Sequence, residues 1–191
     1  MTDALVDILT RPKILSDIDC VQAFYLEAIA VALNARFGTS LSTEIATYHF
    51  DRQLDADQRE FHRAWRHTPG NMNLIAPDLD AMRCISAAHD AGYFVIVASG
   101  RPKGVASATA NWLDRWGVKR NLTVLEGKSS KIDVASQERD LIWIDDDTSL
   151  WPMFPNHEFW HPRKPWTPKK IPKNVRVFDS WDQPLDWLDV T

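Results

Sequence analysis

The chain has 191 residues and a net charge of −4, with 45% hydrophobic and 25% charged residues. These proportions are typical of a folded globular protein and exclude a collagen-like, coiled-coil or disordered chain, while the mild acidity argues against a protein that coats duplex nucleic acid. Because no segment has the ~18 uninterrupted apolar residues of a membrane span and the N-terminus lacks a secretory pattern, we expect a cytoplasmic protein without a membrane partner.

Short apolar runs predict the strands of a sheet, and helical patterns over 78–91 and 104–116 lie between them, each followed by a glycine. This alternation indicates an α/β fold, a Rossmann-like parallel sheet with helices on both faces, in which ligands bind at the carboxyl ends of the strands. The predicted strands are 13–16, 93–98, 122–125, 141–144 and 175–178.

Residues 22–76 interrupt this alternation directly after the first strand. A helix is predicted over 22–36 and a weaker helical pattern over 42–66, and Thr68-Pro69-Gly70-Asn71 breaks the pattern. Since connections of ~4–6 residues are typical, we interpret 22–76 as a small helical cap and 1–21 with 77–191 as the core. The alternative is that the segment adds two more helices to the core.

The segment 152–172 contains six of the eleven prolines. Proline disrupts helices and central strands, so the pattern predicts a loop before the last strand.

Polar residues follow four of the predicted strands and should meet at one edge of the sheet. They are Asp17 and Asp19, then Ser99, then Lys128 or Lys131, and finally Asp145 and Asp146. Clustered carboxylates repel one another unless a cation neutralises them, and a hard divalent cation with oxygen ligands, Mg²⁺, meets this requirement.

The run ILSDIDCV at 14–21 resembles motif I of the haloacid dehalogenase (HAD) superfamily, an apolar strand followed by Asp-x-Asp. The run VIVASG, which contains Ser99, is similar to motif II, and LIWIDD at 141–146 is similar to motif IV. Lys131 or Lys128 satisfies motif III, with Lys131 preferred because a helical pattern follows it. The motifs agree in order and spacing over 13–147, and the resemblance implies a HAD-like core with a small helical cap of the C1 type.

The resemblance implies a Mg²⁺-dependent phosphatase that hydrolyses phosphomonoesters through an aspartyl-phosphate on Asp17. Asp19 would act as the general acid and base. Ser99 and Lys131 would hold phosphate oxygens, and Gly100, Arg101 and Lys128 would bind the substrate. The implied metal ligands are Asp17, Asp19 through its backbone carbonyl, Asp145 and Asp146.

Two substrate classes remain open. The cap resembles that of the 5'(3')-deoxyribonucleotidases, which favours a nucleotidase for (deoxy)nucleoside monophosphates. Aromatic residues of the cap could stack on a base, although we expect most of them to form its core: Phe24, Tyr25, Tyr48, Phe50, Phe61 and Trp65.

The alternative substrate is a 3'-phosphate at a nucleic-acid end. The run SGRPKG at 99–104 looks like the phosphatase domain of polynucleotide kinase/phosphatase enzymes. The basic segment 161–173, together with Trp160 and Trp166, is the corresponding candidate for a single-strand surface. Of the late tryptophans, Trp151, Trp160 and Trp166 are the candidates expected near a substrate. A third hypothesis, a non-catalytic HAD-like binding module, is disfavoured by the clustered carboxylates.

Overall fold

A computed structural model describes residues 11–42, 49–125 and 127–188. Its sheet has six parallel strands in the order β3-β2-β1-β4-β5-β6. The strands are β1 (Lys13–Ser16), β2 (Phe94–Ala98), β3 (Leu122–Val124), β4 (Leu141–Ile144), β5 (Glu158–Pro162) and β6 (Val175–Phe178). The predicted parallel α/β architecture is therefore confirmed.

Helices cover both faces of this sheet. They are needed on both because successive apolar side chains of β1 point to opposite faces. Ile14 faces a core that includes residues of the helices before and after β2, whereas Leu15 faces a second core with Ala135 and Trp143. Among the described residues, no helix is long and apolar enough to cross a membrane. The α-helices are α1 (Tyr25–Phe37), α2 (Ala56–Arg66), α3 (Leu79–Asp90), α4 (Ala106–Arg115), α5 (Lys128–Gln137) and α6 (Asp182–Trp187).

The glycines predicted to follow the two central helices have left-handed backbones. Gly92 after α3 has φ +94° and Gly117 after α4 has φ +66°. Because glycine adopts positive φ without a Cβ clash, both positions allow the chain to leave its helix and turn toward the next strand.

The prediction that 152–172 is only a loop is wrong, because β5 lies inside it and between β4 and β6. The prolines flank this strand, and Pro162 is its last residue. The backbone N–H of Phe159 still donates to the carbonyl of Asn174 at 2.8 Å. Four consecutive residues without proline, Glu158–His161, followed by Pro162 at the strand end, were thus enough for an interior strand within a proline-rich segment.

The described residues of the 22–76 segment form two α-helices and two short 3-10 helices at Phe50–Gln53 and Pro69–Leu74. Helix α1 packs on α2 through Tyr25 and Trp65, whose ring centroids are 5.9 Å apart. Helix α1 begins three residues later than predicted. Helix α2 ends at Arg66, as predicted, but begins only at Ala56, because Asp55 caps it and residues 49–55 contain a 3-10 helix instead. Residues 43–48 of the predicted 42–66 helix, including Tyr48, lie outside the described residues, and the division into core and cap stays a prediction.

Candidate active site

Three aspartates meet at the carboxyl edge of the sheet. Asp17 follows β1, and Asp145 and Asp146 follow the adjacent β4. The backbone N–H of Asp17 donates to the carbonyl of Ile144 at 2.9 Å, which continues the ladder one residue beyond β1. One oxygen from each carboxylate lies within 4.8 Å of the others, and all three residues are buried.

Lys131 of α5 lies beside two of these carboxylates. Its Nζ is 2.7 Å from Asp145 Oδ2 and 3.2 Å from Asp17 Oδ2, and the residue is only 4% exposed. Burial alone would lower the pKa of Lys131, but the charges of Asp145 and Asp17 outweigh it and raise that pKa. Lys128 is the first residue of α5, and its side chain lies outside what the structure describes.

Asp145 is held by further donors that the sequence reasoning missed. Trp143 Nε1 donates to Asp145 Oδ2 at 2.9 Å, and the backbone N–H of Asp147 donates to Asp145 Oδ1 at 2.8 Å. Trp143 could have been found from sequence, because residues two apart on a strand share a face.

His161 of β5 supports the same residue from the backbone side. Its Nδ1 donates to the carbonyl of Asp145 at 2.9 Å, and its Nε2 accepts from the Thr167 hydroxyl at 2.9 Å. Burial lowers the pKa of His161 to about 4, so the ring is neutral near pH 7. This contact could not be predicted, since β5 itself was not expected.

The electrostatics of the carboxylate cluster fit a bound cation. Burial, reinforced by the charges of Asp145 and Asp19 and opposed by Lys131, raises the pKa of Asp17 to about 7. Burial and the neighbouring carboxylates also raise the pKa of Asp146. Asp17 Oδ1 is buried and has no hydrogen-bond partner among the described residues. Oxygen donors of this kind are the ligands that Mg²⁺ prefers, and a cation would supply the missing partner.

The side chain of Asp19 is separate from that cluster and pairs with Arg101. Arg101 Nη2 lies 2.6 Å from Asp19 Oδ1, and Arg101 Nε contacts both carboxylate oxygens at 3.0 and 3.1 Å. Arg101 is 3% exposed, and its Nη1 also donates to the hydroxyl of Thr109 at 3.3 Å. Asp19 is therefore held in one orientation beside Asp17.

Some of the residues predicted to bind the substrate phosphate line a cavity, whereas Ser99 does not. Gly100, Arg101 and Lys131 line a cavity above the carboxylates. Ser99 is fully buried behind it, and its Oγ accepts from the backbone N–H of Arg101 at 3.1 Å.

The cavity has a volume of about 520 Å³ and lies between the sheet edge and the 49–72 segment. Of the six aromatic candidates, Tyr25 and Phe50 line it, whereas Phe61 and Trp65 pack in the core. Phe24 is 40% exposed and lies outside this cavity.

Tyr25 and His62 form a neutral pair on the cavity wall. The Tyr25 hydroxyl lies 2.9 Å from His62 Nε2. Burial and the nearby charge of Arg66 lower the pKa of His62, while burial raises the pKa of Tyr25. Both groups are therefore uncharged near pH 7, and the tautomer of His62 sets which of the two donates.

Only one of the three late tryptophan candidates lines this cavity. Trp151 and Trp160 are 4% and 2% exposed and belong to the core, so the expectation that they lie near a substrate is wrong. Trp166 lines the cavity, and its Nε1 donates to the carbonyl of Asp146 at 3.1 Å. Trp160 was misjudged because it belongs to the unexpected strand β5.

No protein-family model matches the chain, and no curated protein matches its sequence. Solved structures do match its fold. A HAD family hydrolase from Deinococcus radiodurans R1 with bound phosphate and sodium has a TM-score of 0.64 at 16% identity, covering 95% of this chain and 98% of that one.

Two further matches differ in their chemistry. A predicted phosphoglycolate phosphatase from Haemophilus somnus 129PT has a TM-score of 0.59 at 11% identity, with 93% and 97% of the chains covered. The L-2-haloacid dehalogenase PA0810 has a TM-score of 0.52 at 10% identity, with 95% and 100% covered. The chain thus has the fold of the HAD-family hydrolases, a group that contains phosphatases and dehalogenases.

Proposed function

We propose that this protein is a Mg²⁺-dependent phosphomonoester hydrolase with Asp17 as its nucleophile. The observation that carries the proposal is the buried Asp17 carboxylate, whose Oδ1 lacks a partner among the described residues beside Asp145, Asp146 and Lys131. Asp17 lines the cavity, so its carboxylate is suited to attack the phosphorus of a phosphate ester once nearby cations neutralise the phosphate charge.

In the first step, a carboxylate oxygen of Asp17 attacks phosphorus and the ester P–O bond breaks. Asp19 gives its proton to the departing alkoxide, and an aspartyl-phosphate forms. In the second step, Asp19 takes a proton from water, whose oxygen attacks phosphorus and breaks the Asp17–phosphorus bond. Phosphate leaves, and both carboxyl groups return to their starting states.

Asp17, Asp145, Asp146 and the backbone carbonyl of Asp19 would hold Mg²⁺. When bound, the cation would offset the repulsion between the carboxylates and the substrate phosphate and stabilise charge on the transferring group. Lys131, already at 2.7 Å from Asp145, keeps that carboxylate oriented and presents a positive charge toward the phosphate oxygens. Arg101 orients Asp19, and Ser99 supports the backbone of Arg101.

We further propose a small phosphorylated substrate, with nucleoside monophosphates as the leading class. The cavity volume of about 520 Å³ lies in the range of small-molecule sites. Tyr25, Phe50 and Trp166 line its walls and offer aromatic surface to a base.

A 3'-phosphate at a nucleic-acid end is the second candidate. Trp166 belongs to the basic segment 161–173 and lines the cavity, so this segment borders the site. Arg163 pairs with Asp179 and Trp160 is buried, which leaves a smaller single-strand surface than the sequence predicts.

A phosphate-release screen with Mg²⁺ tests these proposals. It compares an aryl phosphate, 5'- and 3'-nucleoside monophosphates and a 3'-phosphorylated oligonucleotide, and a parallel arm measures halide release from 2-chloropropionate. Asp17→Asn is the inactive variant, and Asp57→Asn, an exposed carboxylate of α2 that does not line the cavity, is its matched control.

Release from nucleoside monophosphates that requires Asp17 supports the leading proposal, and release from the oligonucleotide alone selects the second candidate. Halide release without phosphate release contradicts phosphatase activity. A folded protein inactive on every substrate favours a non-catalytic binding module.

A further inference from the structure

Helix α2 presents three arginines to the active-site cavity, opposite the carboxylates. Arg59, Arg63 and Arg66 all line it. Their spacing of four and three residues places them along one side of the helix, whereas Phe61 and Trp65 on another side pack into the core.

Within the described part of the chain, no carboxylate pairs with these three guanidinium groups. Arg59 Nη1 donates to the carbonyl of Leu54 at 2.8 Å, and Arg66 Nη2 lies 3.4 Å from the carbonyl of Gly100. Arg63 is exposed in the cavity wall, and like charges at these spacings disfavour an isolated helix.

Among the described lining residues of the same wall, Asp51 is the one carboxylate, and His62 is neutral near pH 7. The formal charge of this wall is therefore positive, with three arginines against one carboxylate. Lys131 and Arg101, the cations on the opposite wall, are already paired with aspartates. The cavity thus has two sites of different character, a carboxylate cluster suited to a cation with its phosphate and an arginine wall suited to a second anion.

We propose that the arginines of α2 bind a second anionic group of the substrate, so that the preferred ester carries a carboxylate or a second phosphate besides the phosphate that is hydrolysed. This inference rests on the proposed phosphatase function. The guanidinium group suits the task because its planar N–H donors bind carboxylate and phosphate oxygens in pairs. Among nucleotides, it therefore replaces the nucleoside monophosphates of the proposed function with nucleoside bisphosphates as the preferred substrates, while monophosphates remain slower substrates.

Matched substrate pairs test the inference. One pair is 3-phosphoglycerate and glycerol 3-phosphate, which differ in a carboxylate, and the other is adenosine 3',5'-bisphosphate and 5'-AMP, which differ in a phosphate. We expect kcat/KM to be about tenfold to a hundredfold higher for the doubly anionic member of at least one pair, the size of one charged hydrogen bond. The pair that responds identifies the second anion.

The variant Arg63→Gln should reduce that ratio by at least about fivefold, chiefly through KM, since the lost contact acts in binding. Arg52→Gln is the matched control, because Arg52 is exposed on the neighbouring 3-10 helix and does not line the cavity. The control should keep the wild-type ratio. Circular dichroism of both variants verifies the fold.

Equal kcat/KM within both pairs would overturn the second-anion inference and leave the phosphatase proposal intact. An Arg63→Gln effect of the same size on both members would mean that Arg63 binds the reacting phosphate, which also overturns it. If the wild-type protein with Mg²⁺ releases phosphate from none of these esters nor from an aryl phosphate, the proposed function itself fails.

Discussion

The guanidinium of Arg101 contacts both carboxylate oxygens of Asp19, with its shortest contact at 2.6 Å. The two residues lie in different loops, since Asp19 follows β1 and Arg101 follows β2. Trp112 of α4 lies under the guanidinium, whose Cζ is 5.6 Å from the ring centroid. Several contacts therefore hold Arg101 in place, and Arg101 in turn orients Asp19, the proposed general acid and base.

Asp19→Asn should lower kcat by about 10²- to 10⁴-fold, the usual contribution of general acid–base catalysis. Asparagine keeps the shape and one oxygen acceptor but removes the counter-charge of the buried Arg101, so circular dichroism must show that the variant is folded before its kcat is compared. Steady-state phosphate release measures the effect, and near-normal turnover would contradict the role of Asp19.

Arg101→Lys should also lower kcat, because an ammonium group keeps the charge but loses the paired contact with Asp19. We expect a loss of about tenfold or more in kcat, within the range that positioning of a catalytic acid supplies. Arg120→Lys is the matched control, since Arg120 makes a similar 2.6 Å pair with Asp114 away from the cavity. Equal effects of the two variants would indicate a general loss of stability.

Asp17→Asn should abolish turnover and yet stabilise the metal-free protein above pH 7. The folded-state pKa of about 7 exceeds the ordinary value of 3.8, so stability falls as the pH rises from about 4 to 7. The substitution removes this cost and should raise Tm by several degrees in chelator at pH 8. A lower Tm than wild type under these conditions would contradict the electrostatic account.

Asp145→Asn should increase the Mg²⁺ concentration needed for half-maximal activity. Its amide nitrogen would face Lys131 Nζ and Trp143 Nε1, both donors, so the variant should also lose about 1–3 kcal/mol of unfolding free energy. Titration of activity with Mg²⁺ and urea unfolding measure the two effects. Activity that is indifferent to chelators in wild type and variant would refute the metal assignment.

His161→Gln should change the pH dependence of stability. The folded-state pKa of about 4 lies below the ordinary 6.5, so the unfolded chain binds a proton first and stability is lost as the pH falls between these values. For wild type, this loss of unfolding free energy amounts to about 3 kcal/mol. The variant lacks the imidazole and should not show it. Urea unfolding in chelator from pH 7.5 to 4 measures the difference, and parallel pH profiles would contradict it.

The strand framework was largely readable from the sequence. Apolar runs followed by polar residues predicted β1 and β4 with the observed bounds and placed Asp17, Asp145 and Asp146 at one sheet edge. This was possible because parallel strands with connecting helices all end on the same side, so residues distant along the chain must meet there.

The strand β5 was not readable, because the prolines around it dominated the composition of 152–172. Its contributions were missed with it, including the hydrogen bond from His161 to the carbonyl of Asp145. A strand in the interior of a sheet is stabilised by pairing on both sides, which a local composition does not reveal.

The sequence by itself determined which residue types meet at the sheet edge, since strand ends and motif spacing are local properties of the chain. Only the tertiary structure decided how those side chains divide their contacts: Lys131 with Asp17 and Asp145, Arg101 with Asp19, and the arginines of α2 toward the cavity. Those pairings depend on distances between elements that are far apart in the chain, and helix periodicity shows that three arginines share a face without showing what that face meets.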